Sequence, residues 1–128
     1  MNVKLDTKEK FTVITPNEAV IPANMTAGFE EMLIGFIKKD IPHVILDMSC
    51  VENIDEAFGA MLVGIHQQFY DHNASFIVCS LQNNVISQLK SQDVLDIINI
   101  TPTQSEAWDI LQMEEIEREL MRDADFEN

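Results

Sequence analysis

Basic residues are scarce in this chain: Lys and Arg number 8 against 22 Asp and Glu, a formal net charge of −14 over 128 residues. Gripping a phosphate backbone depends on Lys and Arg, so this balance argues against nucleic acid as a partner. No run reaches the about eighteen continuous apolar residues that would span a bilayer, and the opening MNVKLDTKEK has no signal-like apolar core. No direct membrane insertion is therefore expected, and a cytoplasmic location is. Cysteine is nearly absent. Cys50 and Cys79 lack CxxC spacing and lie in or beside apolar strand-like runs, which predicts two buried or semi-buried free thiols.

Catalytic constellations are missing too. His43, His66 and His72 share no metal-ligand spacing with another His, Cys, Asp or Glu and read as isolated surface residues. There is no GxSxG, P-loop or GxGxxG. The four glycines, Gly28, Gly35, Gly59 and Gly64, all fall inside expected helices, so none supplies a phosphate-cradling loop. Asp47 could act as a phosphoacceptor only with a metal held by an acidic pair after the first strand, and Val13-Ile14-Thr15 is followed by none. The expectation is a non-enzyme with no catalytic residue, no cofactor and no metal.

What is present centres on Val44–Gly64, VILDMSCVENIDEAFGAMLVG. Val44-Ile45-Leu46 is a short branched run, as a strand buried on both faces would be. A polar turn at Glu52-Asn53 leads to Asp55 in N-cap position, and Phe58, Met61, Leu62, Ile65 and Phe69 recur every three or four residues behind it. Gly59, Ala60 and Gly64 form a small-residue patch that would let this helix approach the sheet. Strand, turn and capped helix make one α/β layer.

The rest of the chain repeats that alternation. Val3–Thr7 and Phe11–Thr15 read as a hairpin around Lys8-Glu9-Lys10, and Ala19–Ile21 as a short apolar piece ending at Pro22. Asn24 or Thr26 would cap a helix whose last turn holds Lys38 and Lys39 and which ends at Asp40-Ile41-Pro42. Ala74–Leu81 reads as a second buried strand after a turn at 71–73. Asn83 would cap a short helix carrying Val85, Ile86 and Leu89, and Ile97–Ile100 reads as a last strand. Thr103-Gln104-Ser105-Glu106 matches a capping box opening the final helix. Along that helix Glu114 and Arg118 are spaced to pair. Met113, Ile116 and Leu120 make a stripe that would rest on the domain or on a second copy, giving a homodimer. The helix is expected to reach about Met121, before residues 123–128 fray.

Element order and the central stretch together resemble a STAS domain, the fold of bacterial anti-sigma-factor antagonists. That family runs an apolar strand into D-hydrophobic-S, then a turn, then I-D-S-S-G-hydrophobic-G and a helix. Here the blocks are Leu46-Asp47-Met48-Ser49 and Ile54-Asp55-Glu56-Ala57-Phe58-Gly59. The resemblance covers about residues 3–112 and implies an α/β fold of the STAS type, a mixed sheet of four or five strands with four helices. It divides the chain into a domain at 1–112 and an acidic helical extension with a frayed end at 113–128.

In relatives the second serine after the aspartate is phosphorylated by a kinase-like anti-sigma factor, and the modification releases the complex. Ala57 occupies that place without gaps, and Phe58 does if the register slides by one. No Ser, Thr or Tyr occurs from Cys50 to Phe69, so the usual switch is chemically excluded. Glu56 instead sets a fixed carboxylate in the first helical turn, with less charge and fewer acceptor oxygens than a phosphate. The resemblance implies a regulatory module that binds a protein partner, such as a kinase-like anti-sigma factor, through Asn53, Asp55, Glu56, Ala57 and Phe58. The alternative is an accessory or scaffold subunit of a transporter or other assembly.

Overall fold

The structure, a computed structural model, describes residues 2–127. Five strands form the main sheet in the order β1 (Val3–Thr7), β2 (Thr12–Pro16), β4 (Val44–Asp47), β6 (Phe76–Cys79), β7 (Asn99–Thr101), with β1 antiparallel and the others parallel. The predicted hairpin forms, with Leu5 opposite Ile14 and the Lys8 N–H donating to the Phe11 carbonyl at 2.8 Å. A second, two-stranded parallel sheet joins β3 (Val20–Ile21) to β5 (Asn53–Ile54).

Both faces of the sheet are covered, and that is why the central strands are apolar without alternation. Successive side chains point to opposite faces. Ile14, Val44, Leu46, Phe76 and Val78 meet the three helices α1 (Ala23–Ile37), α2 (Glu56–Asp71) and α3 (Asn83–Ser91) in the larger core. Val13, Ile45, Ile77 and Cys79 meet α4 (Gln104–Glu127) through Ala107 and Leu111, with Trp108 stacked on Phe11 at 4.9 Å. One face carries three helices and the other carries one.

Several local expectations are corrected. Neither Asn24 nor Thr26 caps α1: the N-cap is Pro22, with no side-chain bond, because the fixed proline backbone starts the helix at Ala23, ahead of both. Thr26 is buried and its hydroxyl donates to the Pro22 carbonyl at 3.4 Å. Lys38 is the C-cap, so the lysines lie past the last turn, and Lys39 sits 4.3 Å from the Phe36 ring centre. Asn83 is the first residue of α3, with Gln82 as N-cap.

Cys50 is exposed, lying in the turn after β4, whereas Cys79 is buried and burial pushes its thiol up to about 11. Of the two glycines of α2, only Gly59 marks a close approach, and its neighbours are Leu89 and the C-cap Gln92 of α3, not the sheet. A Cβ there would meet Gln92 Oε1 at 2.0 Å, while one at Gly64 meets nothing within 4 Å.

The last helix starts as predicted, with the Glu106 N–H donating to Thr103 Oγ1 at 3.2 Å, but continues unbroken through Glu127. The fray expected at 123–128 is therefore helix to Glu127, and Asn128 lies outside the described residues. Glu114 does not pair with Arg118. It accepts from Asn99 Nδ2 at 3.0 Å, while Arg118 bonds Glu115 and donates to Ser75 Oγ at 2.9 Å.

His43 completes this attachment. Its Nδ1 accepts the Ser75 N–H at 3.0 Å and its Nε2 lies 2.8 Å from Glu115 Oε1, an arrangement that a neutral ring with hydrogen on Nε2 satisfies at both ends. His43 and His66 are thus not surface histidines; both are partly buried, and only His72 is exposed.

Burial pushes His43 below its ordinary value, more than Glu115 raises it. Glu115 is raised by partial burial, but its hydrogen bond from Arg118 and the nearby His43, Arg118 and Arg122 charges outweigh this and hold it lower than usual. For both groups the unfolded chain binds more protons, so the stability each contributes is present above its unfolded value and is lost as pH falls through the folded one. The expected result is a melting temperature that drops as pH is lowered from about 7 to about 5, with His43→Gln flattening the slope just below about 6.5. An unchanged slope in that variant would exclude His43 as the titrating group.

Candidate functional site

The site is built where β4 hands over to α2. Asp47, 7% exposed at the strand end, accepts the Ser49 N–H on Oδ1 at 2.9 Å and Gln104 Nε2 on Oδ2 at 2.6 Å. That side chain ties the turn to the first residue of α4. Met48 and Val51 are fully buried and bonded to each other across a tight turn, the Val51 N–H to the Met48 carbonyl at 3.0 Å. Ser49 and Cys50 are left exposed between them.

Residues 52–55 are held from two sides. The N–H groups of Glu52 and Asn53 both donate to the Ala19 carbonyl, at 2.7 and 3.1 Å, and that of Asp55 donates to the Ile21 carbonyl at 3.1 Å. On the α3 side, Gln88 Oε1 accepts the Ile54 N–H at 3.0 Å, and Asn84 Nδ2 donates to the Glu52 carbonyl at 2.7 Å and to Asn53 Oδ1 at 2.8 Å. Gln82 Nε2 reaches the Ser49 carbonyl at 2.8 Å. The N–H groups of residues 52–55 are all satisfied by the protein itself, which fixes the shape of this segment before any partner arrives.

Asp55 is the N-cap of α2, extended at φ −87° and ψ 159°, its Oδ1 accepting the Ala57 N–H at 2.9 Å. Glu56 follows in the first turn, where the helix dipole favours a carboxylate. Asn53, Asp55, Glu56 and Ala57 are all exposed and lie together on one surface with Glu52. The predicted surface residues are thus brought together, with one exception.

Phe58 is not on that surface. It is fully buried and its ring lies 5.6 Å from that of Phe29 on α1, tilted by 40°. Capping at Asp55 sets the helical phase, and Phe58 then falls on the inward stripe with Met61, Leu62, Ile65 and Phe69. Sequence reasoning missed Asn84, Gln82 and Gln88. The run Gln82-Asn83-Asn84 was a usable signal, since several amides at one helix start can bond an adjacent backbone.

At the other end of the sheet lies a cleft of about 790 Å³ beneath α4, whose lining includes His43, His66, Tyr70, Asn99, Arg118 and Arg122. Four carboxylates line it as well, Asp71, Glu114, Glu115 and Glu117, against the two arginines. Among the described residues no group of three or more His, Cys, Asp or Glu is placed to hold a metal ion. No described helix is long and apolar enough to cross a membrane.

A family model described as STAS domain matches residues 2–107, and the chain belongs to that family. No curated protein sequence matches the chain. Among solved structures, an anti-sigma factor antagonist from Thermotoga maritima superposes with TM-score 0.78 at 21% identity, covering 86% of this chain and 94% of that one. A serine-to-glutamate variant of RsbS from Moorella thermoacetica gives TM-score 0.73 at 18% identity, over 88% and 96% of the two chains. A murine anion transporter of the solute carrier 26 family gives TM-score 0.67 at 15% identity, over 81% of this chain but 18% of the transporter. At such identities the likeness establishes the fold.

Proposed function

We propose that this STAS domain is a non-enzymatic regulatory protein of the anti-sigma-factor-antagonist kind, working in the cytoplasm and binding a protein partner through Glu52, Asn53, Asp55, Glu56 and Ala57. The observation that carries the reading is a turn held from both sides that presents carboxylates at a helix start and carries no hydroxyl from Cys50 through the helix to Phe69. A prearranged surface loses little freedom on binding, and a fixed acidic rim selects a basic partner surface. A kinase-like anti-sigma factor is the partner that fits. With Glu56 and Ala57 in place of the serines of relatives, no phosphate can be added here, so association would not be switched at this position.

Asp55 caps the helix, so its replacement confounds binding with folding. Glu56 has no such duty. Glu56→Lys is expected to weaken binding to a cognate kinase-like anti-sigma factor about tenfold with an unchanged circular dichroism spectrum, and equal affinity would count against the surface. The paired change Glu56→Ser with Ala57→Ser should create a phosphoacceptor. Incubation of that variant with the same kinase and ATP, followed by mass spectrometry, should show one added phosphate. An accessory role in a transporter is the second reading, favoured by the likeness to the anion-transporter domain. Capture of a permease or its ATPase in place of an anti-sigma factor would select it.

A further inference from the structure

Met113, Ile116 and Leu120 do not rest on the domain: they are 59%, 56% and 62% exposed. At 100° per residue they cluster on the side of α4 opposite Ala107 and Leu111, which are buried against the sheet, and Arg118, which bonds Ser75. Large apolar side chains repeating at i, i+3 and i+7 on the solvent side of a helix whose opposite side is already packed are the pattern of a helix-pairing seam. We propose that this stripe is a second docking surface, and that its occupant is an amphipathic helix of a protein partner whose apolar seam is flanked by Lys and Arg.

The charges bordering the stripe choose the occupant. Asp109 and Glu119 are exposed beside it. The basic residues of this segment are turned elsewhere: Arg118 to Ser75 and Glu115, and Arg122 to the cleft with His43 and Tyr70. A second copy would bring the same carboxylates against one another, on chains of net charge −14 each. An anionic membrane surface is disfavoured for the same reason. A helix with Lys or Arg at its flanking positions pairs with those carboxylates while covering the seam.

The stripe is also remote from the turn described above. α4 begins beside Asp47, at the carboxyl end of β4, and by Arg118 has descended to Ser75, just before β6 begins. The two surfaces lie at opposite ends of the parallel strands, so both can be occupied together and the inference does not depend on the function proposed above.

The test uses the full chain and two labelled synthetic helices with Leu at heptad positions a and d, one carrying Lys and the other Glu at e and g, titrated by fluorescence anisotropy. The Lys peptide should bind, more weakly as salt rises, and its affinity should fall about tenfold or more when Met113→Gln, Ile116→Gln and Leu120→Gln are combined. These residues are exposed and Gln is a good helix former, so the fold should persist. The Glu peptide should not bind, and Glu56→Lys should leave Lys-peptide binding unaltered. No binding, equal binding of both peptides, indifference to the triple change, or sensitivity to Glu56→Lys would each overturn the proposal. So would a wild-type dimer in sedimentation equilibrium that the triple change dissolves, which would give the stripe to a second copy.

Discussion

Phe58→Ala is expected to cost about 3–5 kcal/mol, read as a fall in the urea midpoint at constant m-value. The side chain is fully buried, fills the space between α1 and α2, and has the Phe29 ring as its direct neighbour. Removing it forfeits apolar burial and leaves a cavity that two packed helices close only in part. A domain of this size has about 5–15 kcal/mol of total stability, so the variant should lose a large share of it. Glu56→Ala, two residues earlier but exposed, should stay within about 0.5 kcal/mol. Partner binding that vanishes in Phe58→Ala would therefore reflect unfolding. A cost below about 1 kcal/mol would mean that the ring does not occupy the core as described.

The second large effect is expected at Asp47. Its carboxylate satisfies the Ser49 N–H and the Gln104 amide, joining the turn to the start of α4. Asp47→Ala removes two hydrogen bonds to a charged acceptor, each worth about 1.5–3 kcal/mol, but also relieves the cost of burying that charge. The net should be a loss of about 2–3 kcal/mol in denaturant unfolding. Asp47→Asn should recover most of it, because one oxygen still accepts from Ser49 and the Gln104 amide can turn its own oxygen toward the new NH2 group. If Asn and Ala variants prove equally unstable, the charge itself matters more than the two bonds.

How far these features were readable from the chain varies with the physics behind each. The central strands were legible because burial on two faces leaves an unbroken apolar run, as at Val44–Leu46 and Phe76–Cys79. The start of α2 was legible because an N-cap aspartate acts through atoms two residues away. Phe58 was misplaced for an instructive reason: a family motif orders residues by sequence, whereas exposure follows helical phase, and the cap had already fixed that phase. The strand β5 was not legible at all. Two residues, Asn53-Ile54, carry no periodicity, and their pairing with Val20-Ile21 depends on a distant segment arriving alongside.

The fate of α4 was half legible. Its capping box is a local signal, and its length followed from an acidic but strongly helix-forming composition that was read as fraying. What holds it down is not local: Ser75, His43 and Asn99 come from three other segments.

One helix alone shields the sheet surface formed by Val13, Ile45, Ile77 and Cys79, and its anchors run from Gln104 at the top to Arg118 at the bottom. A fragment cut at residue 107, where the family match stops, would keep Ala107 but discard Leu111 and every lower anchor. That fragment would display a bare apolar slab and should precipitate or stack on itself, so expression of this domain demands the helix at least through Arg118, although all but the first four of its 24 residues lie beyond the family match.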